Sequence, residues 1–515
     1  MKKSIIVMAF LCICLYGLVF LVSPESSTMW AAGAGVAAAI LFLVIAVLGI
    51  KSPTSRHRFP WLYLIPLTTI FLAIPIFFAV ILSMQSNFSV LLLIVMVSLA
   101  FSFFYNFLNI PLAIYHKHQE VKLSKKPLNY YPPISIVVPA YNEEKCIAGA
   151  IETLLEAEYP DKEIIVVDDG STDRTYRIAQ SYSNRGVKVV QRPNGGKAAA
   201  LNHGLQFVTG EIMICVDADS MVGRTSLLEL VRRFEDSSVV AVAGNIKVLN
   251  RSKLLAACQA LEYIFDINIA RRGLDTFGAV IVVPGCLGAF RSEALKNSAG
   301  WDVETLVEDF DATIKLFKAG ASTESNALNR VHTQNPDFQA AAKGLKSGKI
   351  VQASSAAIGY TEVPESLKDL WKQRQRWYRG NYQTMLKHKD AFTNSRYGAL
   401  YSLSFPYIVI SMICVPLSMI AIVVSAIMAI IDGYAMAVLI IFGVFTILQF
   451  VISILAIELD DEDLKLALYS PFFVLGYKHI LDFIKIKAAF DVFTKKRAGW
   501  DKLDRIGLYP KEATL

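Results

Sequence analysis

Asp217 and Asp219 stand one residue apart at the end of an apolar run, Glu211–Asp217 (EIMICVD). On a continuing strand, residues i and i+2 project to the same side. Two carboxylates so placed suit a hard divalent cation, Mg²⁺ or Mn²⁺, which takes few protein ligands and keeps positions open for phosphate oxygens. The same pair also makes an ordinary solvated turn. Asp168-Asp169-Gly170-Ser171 carries the same two readings, because Asp, Gly and Ser are turn formers. Asn194-Gly195-Gly196-Lys197 is a glycine turn opening a helix, with a lysine able to meet a phosphate. It lacks both the Walker spacing and GxGxxG, so a plain loop and helix start serves equally well. Glu308-Asp309 precede an amphipathic helix continuing to Lys318, and acids in a first turn also serve simply as partners of the helix dipole. Gln373, Arg376 and Trp377 lie in Ser366–Leu386, a helix rich in Trp, Tyr, Lys and Arg. An interfacial anchor is the plain reading there.

The elements that must position these residues form an α/β pattern. Ile134–Ala140 (ISIVVPA) is a continuous β-branched run, as a strand buried on both faces requires. A helix pattern follows over Glu143–Ala157, then a strand at Lys162–Asp168 and a helix at Asp173–Ser183, with Ser171 and Thr172 at its start. Val187–Gln191 and Glu211–Asp217 read as the third and fourth strands. Alternation of this kind predicts a parallel sheet with helices on both faces. Ligands then sit at the carboxyl ends of the strands, where Tyr141, Asp168-Asp169 and Asp217-Ala-Asp219 fall.

Of 515 residues, 54% are hydrophobic and 18% charged, which excludes a disordered, fibrous or ordinary soluble chain. The apolar residues are bunched at the two ends, so the expectation is an integral membrane protein with a water-soluble centre. Four runs, Ile5–Val22, Trp30–Ile50, Trp61–Leu82 and Ser89–Ile114, approach the ~20 residues that span a bilayer as a helix. Lys2, Lys3, Lys51, Arg56, Arg58, Lys117 and Lys122 put the N-terminus and the centre on the cytoplasmic side. Phe405–Ile431 and Ala435–Ile457, separated by Asp432-Gly433, read as a helical hairpin. Leu466–Phe493, interrupted by Lys478, His479, Asp482, Lys485 and Lys487, either crosses or lies along the surface. The predicted organisation is 1–116 as four membrane helices, 117–362 as a cytoplasmic domain, 363–398 as interfacial helices, 399–457 as two membrane helices, and 458–515 as a further helix and basic tail. A net charge of +7 is explained by cytoplasmic loops and does not argue for nucleic acid. The seven cysteines include no CxxC pair, so zinc and disulfide frameworks are disfavoured and buried thiols in a reducing compartment are expected.

Taken together, these segments resemble the membrane-embedded, processive family-2 glycosyltransferases, which include cellulose, chitin, hyaluronan and poly-N-acetylglucosamine synthases. The family pattern of an early Asp, a DxD, a later Asp within TED and a QxxRW occurs in order. It is Asp169 in VVDDGS, Asp217-Ala-Asp219, Asp309 in VED, and Gln373-Arg-Gln-Arg376-Trp377. The flanking text also matches, with VPAYNEE at Val138–Glu144, GGKAAALN at Gly195–Asn202, PGCLGAF at Pro284–Phe290 and YTEVPES at Tyr360–Ser366. The match covers residues 130–385. The C-terminal Gly499–Gly507 (GWDKLDRIG) looks most like the poly-N-acetylglucosamine synthase branch.

The resemblance implies a glycosyltransferase-A, Rossmann-like α/β domain inserted between transmembrane helices of the cell membrane. It implies that Tyr141, Asp169, Lys197 and Asp217 hold a nucleotide-sugar, and that Asp217 and Asp219 bind Mg²⁺ or Mn²⁺. It implies Asp309 as general base and Arg376 as the group that stabilises the departing diphosphate. Pro284, Gly285, Cys286, Gln373 and Trp377 would meet the acceptor. The implied reaction is inverting polymerisation of a UDP-sugar, UDP-N-acetylglucosamine foremost, into a β-linked polysaccharide exported through the enzyme's own helices. The implied partners are the UDP-sugar donor, the growing glycan and the lipid bilayer, with room for an accessory membrane subunit and none for nucleic acid. The alternative is a non-processive enzyme adding one sugar to a lipid or short acceptor. Two departures stand out. Val307 occupies the threonine position of TED, and Ala321–Lys346 inserts about 25 residues where family members pass from a KAG-like turn to the next strand.

Overall fold

The computed structural model describes residues 109–110, 112–330, 350–496 and 507–508. The four spans expected at the N-terminus lie outside these residues, apart from the last few positions of the fourth. The described chain divides into two compact units.

The larger unit contains an eight-stranded sheet of order β3-β2-β1-β4-β7-β6-β8-β5. Its first half is parallel. β1 (Ile134–Ala140) lies between β2 (Lys162–Asp168) and β4 (Ile212–Cys215), and β3 (Val187–Gln191) borders β2. All seven residues of β1 are buried, as a β-branched run with sheet neighbours on both sides and helices on both faces must be. The second half departs from the all-parallel expectation. β7 (Gly288–Arg291) runs antiparallel to both β4 and β6 (Val239–Val248). β8 (Ile350–Thr361) is parallel to β6, and β5 (Ser220–Val222) is antiparallel to β8. The sheet is therefore mixed, with β7 and β5 running against the other six strands.

Two local expectations are corrected. The fourth strand ends at Cys215, and Asp217-Ala218-Asp219 forms a turn closed by the Ser220 N–H donating to the Asp217 carbonyl at 2.9 Å. β7 pairs with β4 only as far as the Gly288–Cys215 match, so nothing extends the ladder under the two aspartates. Second, the helix that opens at Glu308 does not stop at Lys318-Ala319-Gly320 but runs to Arg330. The sequence after Gly320 offers Ala, Glu and Leu and no proline, and one glycine costs a helix only about 1 kcal/mol. The inserted segment thus begins as helix; residues 331–349 lie outside the described residues.

The smaller unit includes helix 112–124, the π-helical segment Tyr263–Ile269 with the short α-helix Ala270–Asp275 after it, and the hairpin of Val415–Ile431 and Ala435–Leu459. Gly433, at φ 90°, makes the tight turn of the hairpin. Arg272, 3% exposed, pairs with Glu120 at 3.0 Å and with Asp460 at 3.4 Å. Asn268 donates to the other oxygen of Asp460 at 3.0 Å. Lys117 donates to the last helical carbonyl, Leu459 O, at 2.9 Å and pairs with Asp461 at 2.7 Å.

Among the described residues, Leu400–Ile431 is a helix of 32 residues, long and apolar enough to cross a membrane by length and composition. Leu417, Ile420, Val424, Ile427 and Ile431 form one stripe of large apolar side chains along it, and all five are exposed. No disulfide forms among the described cysteines.

Candidate active site

The site collects at the carboxyl ends of β1, β2 and β4 and at the start of two helices. After β1, Tyr141 is half-buried and Asn142 takes φ 55°. The Asn142 Oδ1 accepts from Thr172 N at 2.7 Å and Asp173 N at 3.3 Å, while Glu143 N donates to Thr175 Oγ1 at 2.7 Å. These bonds stitch the loop after β1 to the loop after β2.

Asp169 is 2% exposed and its carboxylate faces the glycine turn. It accepts from Gly196 N at 2.7 Å, from Gly195 N at 3.1 Å and from the Arg192 guanidinium. A side chain on Gly170 would lie 2.8 Å from Asn194 N, so the DDGS turn and the Asn194–Gly196 turn pack backbone to backbone. Gly196, at φ 87°, then swings the chain into the helix Lys197–Leu205. The positive φ explains the glycine, and Asp169 explains how the turn is held.

Lys197 opens that helix and reaches across the site. Its ammonium lies 2.7 Å from Asp217 Oδ1 and 3.2 Å from Glu308 Oε1. Burial works against this ammonium, but the charges of Asp217, Glu308 and Asp309 outweigh it and hold the lysine well above its ordinary pKa. Gly285 makes room for this lysine. A Cβ there would stand 2.5 Å from Lys197 Nζ and 3.6 Å from Asp217 Oδ1. Asp219, half-buried, lies two residues on in the turn after β4.

Asp309 sits in the first turn of the Glu308–Arg330 helix, where its Oδ1 accepts from Phe310 N at 2.8 Å. Burial, reinforced by the negative charge of Glu308 beside it, pushes its pKa up to about 6. Thr313, one turn later, fixes this helix to the PGC segment. Its hydroxyl donates to Asp309 O at 2.8 Å and accepts from Val283 N at 3.1 Å. Pro284 and Gly285 are buried, and Cys286 is half-buried. Asn202, from the lysine's helix, exchanges two hydrogen bonds with the backbone of Trp301 at 2.7 and 2.9 Å. This fixes the chain shortly before Val307-Glu308-Asp309.

Gln373, Arg376 and Trp377 lie on the helix Leu367–Lys387, whose Ser366 cap accepts from Asp369 N at 3.1 Å. Gln373 is buried and accepts from Arg374, while Arg376 and Trp377 are half-buried. The Arg374 guanidinium lies over the Trp377 ring at 4.1 Å from its centroid, so one face of the indole is already covered. Glycine at 380 lets this helix approach Leu306 and Val307.

The structure thus brings Lys197, Asp217, Glu308, Asp309 and Gly285 into one cluster. Asp169 supports it from beneath the glycine turn. Sequence reasoning did not assign roles to Glu308, Arg192, Asn202 or Thr313. The VED motif held Glu308 in plain view, but its pairing with Lys197 is a tertiary contact without a local signature.

The candidate site thus combines a half-parallel sheet, an acidic turn after the fourth strand, a lysine at a glycine-led helix start and the Glu308-Asp309 pair beside that lysine. Residues 135–298 match the model for Glycosyl transferase family 2. The chain is similar to poly-β-1,6-N-acetyl-D-glucosamine synthases. The similarity is 29% identity over 278 residues with that of Staphylococcus epidermidis, covering 53% of this chain and 61% of the relative. With that of Staphylococcus aureus it is 28% over 295 residues, covering 56% and 64%. The chain therefore spans less than two thirds of the length of these relatives. Among solved structures, a mannosyltransferase from Pyrobaculum calidifontis in complex with GDP-Man and Mn²⁺ shares the fold. Its TM-score is 0.51 at 19% identity, covering 78% of this chain and 100% of that one.

Proposed function

We propose that the chain is an inverting, processive glycosyltransferase of the cell membrane. It polymerises a UDP-sugar, UDP-N-acetylglucosamine foremost, into a β-linked polysaccharide and passes it through its own membrane helices. The observation that carries this reading is the Lys197 ammonium bridging Asp217 and Glu308 beside Asp309. One cation joins the proposed donor side to the proposed base, as a transfer between two bound sugars requires. The likeness to poly-β-1,6-N-acetyl-D-glucosamine synthases supports the choice of sugar and of polymer. The exposed apolar stripe on the Leu400–Ile431 helix supports a lipid setting, with the catalytic unit in the cytoplasm.

In this reading Tyr141, Lys197 and Asp217 bind the nucleotide and its diphosphate, and Asp169 keeps the glycine turn in shape for them. The acceptor hydroxyl gives its proton to Asp309 as its oxygen attacks the anomeric carbon. The new carbon–oxygen bond forms on the face opposite the breaking bond to the diphosphate, which leaves with the electron pair. An α-linked donor becomes a β-linked product. Lys197 and Arg376 meet the negative charge that builds on the leaving group. Gln373, Cys286 and Trp377 receive the acceptor sugar, with Pro284 and Gly285 shaping that wall.

Asp217 and Asp219 fit a hard divalent cation, Mg²⁺ or Mn²⁺. Both offer carboxylate oxygens at half-buried positions, and Asp217 Oδ1 already attracts a positive charge at 2.7 Å. Among the described residues no group of three or more His, Cys, Asp or Glu is placed to hold a metal. The two aspartates therefore supply part of a shell, completed by diphosphate and water. Such an ion, when bound, neutralises diphosphate charge as UDP departs.

The test is to purify the chain in nanodiscs, supply labelled UDP-sugars singly with Mg²⁺ or Mn²⁺, and size the product. High-molecular-weight polymer from one donor is the expected result. A single-sugar adduct on lipid would replace the reading with a non-processive transferase. UDP binding without any transfer would count against the chain acting as a synthase without an accessory subunit.

A further inference from the structure

Gly380 lies inside the helix Leu367–Lys387, at a backbone conformation that any residue adopts. Glycine costs a helix interior stability relative to alanine, so its reason must be steric. A Cβ at 380 would stand 2.7 and 2.8 Å from the two Val307 γ-methyls and 3.1 Å from Leu306 Cβ. Val307 is 7% exposed and its methyls are rigid, branched and enclosed, unlike the tip of a lysine. Gly380 comes one turn after Arg376 and three residues after Trp377, so all three share a helix face. Val307 comes two residues before Asp309.

A second fastening lies two residues after Asp309. Asp311 is fully buried, and its Oδ1 is 2.7 Å from Lys387 Nζ and 2.8 Å from His388 Nε2, at the end of the same helix. Burial works against this carboxylate, but hydrogen bonds from His388 and Lys387 hold it below the usual range. Lys318, two turns further along the Asp309 helix, meets His388 Nδ1 at 2.9 Å and Asp390 at 2.6 Å. Asp309 is thus bracketed by a close apolar contact on one side and a buried ion pair on the other.

We infer that Val307 and Gly380, with Asp311 and His388, are positioning residues that set the distance between Asp309 and the helix face carrying Arg376 and Trp377. The valine that replaces the usual threonine is then a spacer, its two methyls matched to a glycine. This inference rests on the reading of Asp309 as base and Trp377 as acceptor contact.

The test measures the full chain in nanodiscs with labelled UDP-N-acetylglucosamine, or whichever donor of the panel the wild-type chain turns over. UDP binding and thermal stability are followed in parallel. Gly380→Ala is expected to lower kcat by about 10²-fold, the scale of an ångström-level misplacement, with donor KM and UDP binding unchanged. Adding Val307→Ala, which opens the same gap, should restore most of kcat. If Gly380→Ala fails to fold, Val307→Ile presses on the gap from the other side and should give the same split. Unchanged kcat in the folded variant, or a loss that Val307→Ala does not restore, would overturn the inference. Asp309→Asn separates the two levels. If it keeps transfer, the base assignment itself falls; if it loses transfer while Gly380→Ala does not, only the spacer role falls.

Discussion

Asp309 combines a place in the first turn of a helix with burial and a like charge at its side. The proton it holds leaves at a pH of about 6 in the folded chain, against 3.8 for an ordinary aspartate. If it is the base, kcat/KM should climb as pH rises through about 6. Asp309→Asn should cost transfer about 10²- to 10⁴-fold while UDP still binds; retained transfer would remove it as the base. The sign for stability follows by linkage. Between those two values the folded chain holds more protons than the unfolded one, so stability falls as pH rises. Asp309→Asn should therefore raise Tm above about pH 6 and leave it little changed below about pH 4. Gly285 makes a second case at this scale. The atom a methyl would strike is Lys197 Nζ, the free end of a flexible side chain. Gly285→Ala should then fold normally and raise donor KM by moving the ammonium off Asp217. A Tm loss with unchanged donor KM would show that Gly285 serves packing alone.

At the scale of elements, Leu367–Lys387 presents Trp377 half-buried, with one face of its ring under Arg374. Trp377→Ala should impair elongation more than donor hydrolysis, read as product size against UDP release; equal losses would remove the acceptor role. How legible each element was follows from where its stabilising contacts lie. β1, β2 and β3 begin and end where their β-branched runs do, because burial and pairing act along the whole run. The acidic turn was misread as strand because its end is decided by β7, a partner distant in sequence. β6 carries no assignment from the sequence, although it is buried at all ten positions, because it does not sit in a simple strand–helix alternation. The amphipathic pattern from Glu308 fades after Lys318, which is where the sequence reading ends the helix, yet the Ala-, Glu- and Leu-bearing stretch beyond Gly320 continues it to Arg330. Asp169, Lys197, Asp217 and Asp309 were each visible as motifs, but the Lys197–Glu308 pairing emerged only from the fold.

At the scale of the molecule, the smaller unit depends on a buried charge network rather than apolar packing alone. Arg272 is the shared cation for Glu120 and Asp460, whose side chains are 13% and 0% exposed. Removing one partner of such a pair strands the others in a poor solvent for charge, at a cost of about 3–5 kcal/mol. Arg272→Ala should lower the unfolding midpoint accordingly, and Arg272→Ala with Asp460→Asn should recover part of it. Additive losses would show that the pair is not coupled.

The lysine at the centre of the site is outnumbered. Asp217, Glu308 and Asp309 all act on one ammonium, leaving two uncompensated negative charges when every group is ionised. A nucleoside diphosphate approaching alone meets repulsion rather than a welcome. Arrival is therefore expected to be ordered, with counter-charge first or in company. Rapid-mixing traces should show the association rate of UDP climbing and then levelling as divalent cation is added, whereas adding monovalent salt to the same ionic strength should not reproduce that plateau. A rate indifferent to the cation would mean that the acids surrender their charge before the nucleotide enters.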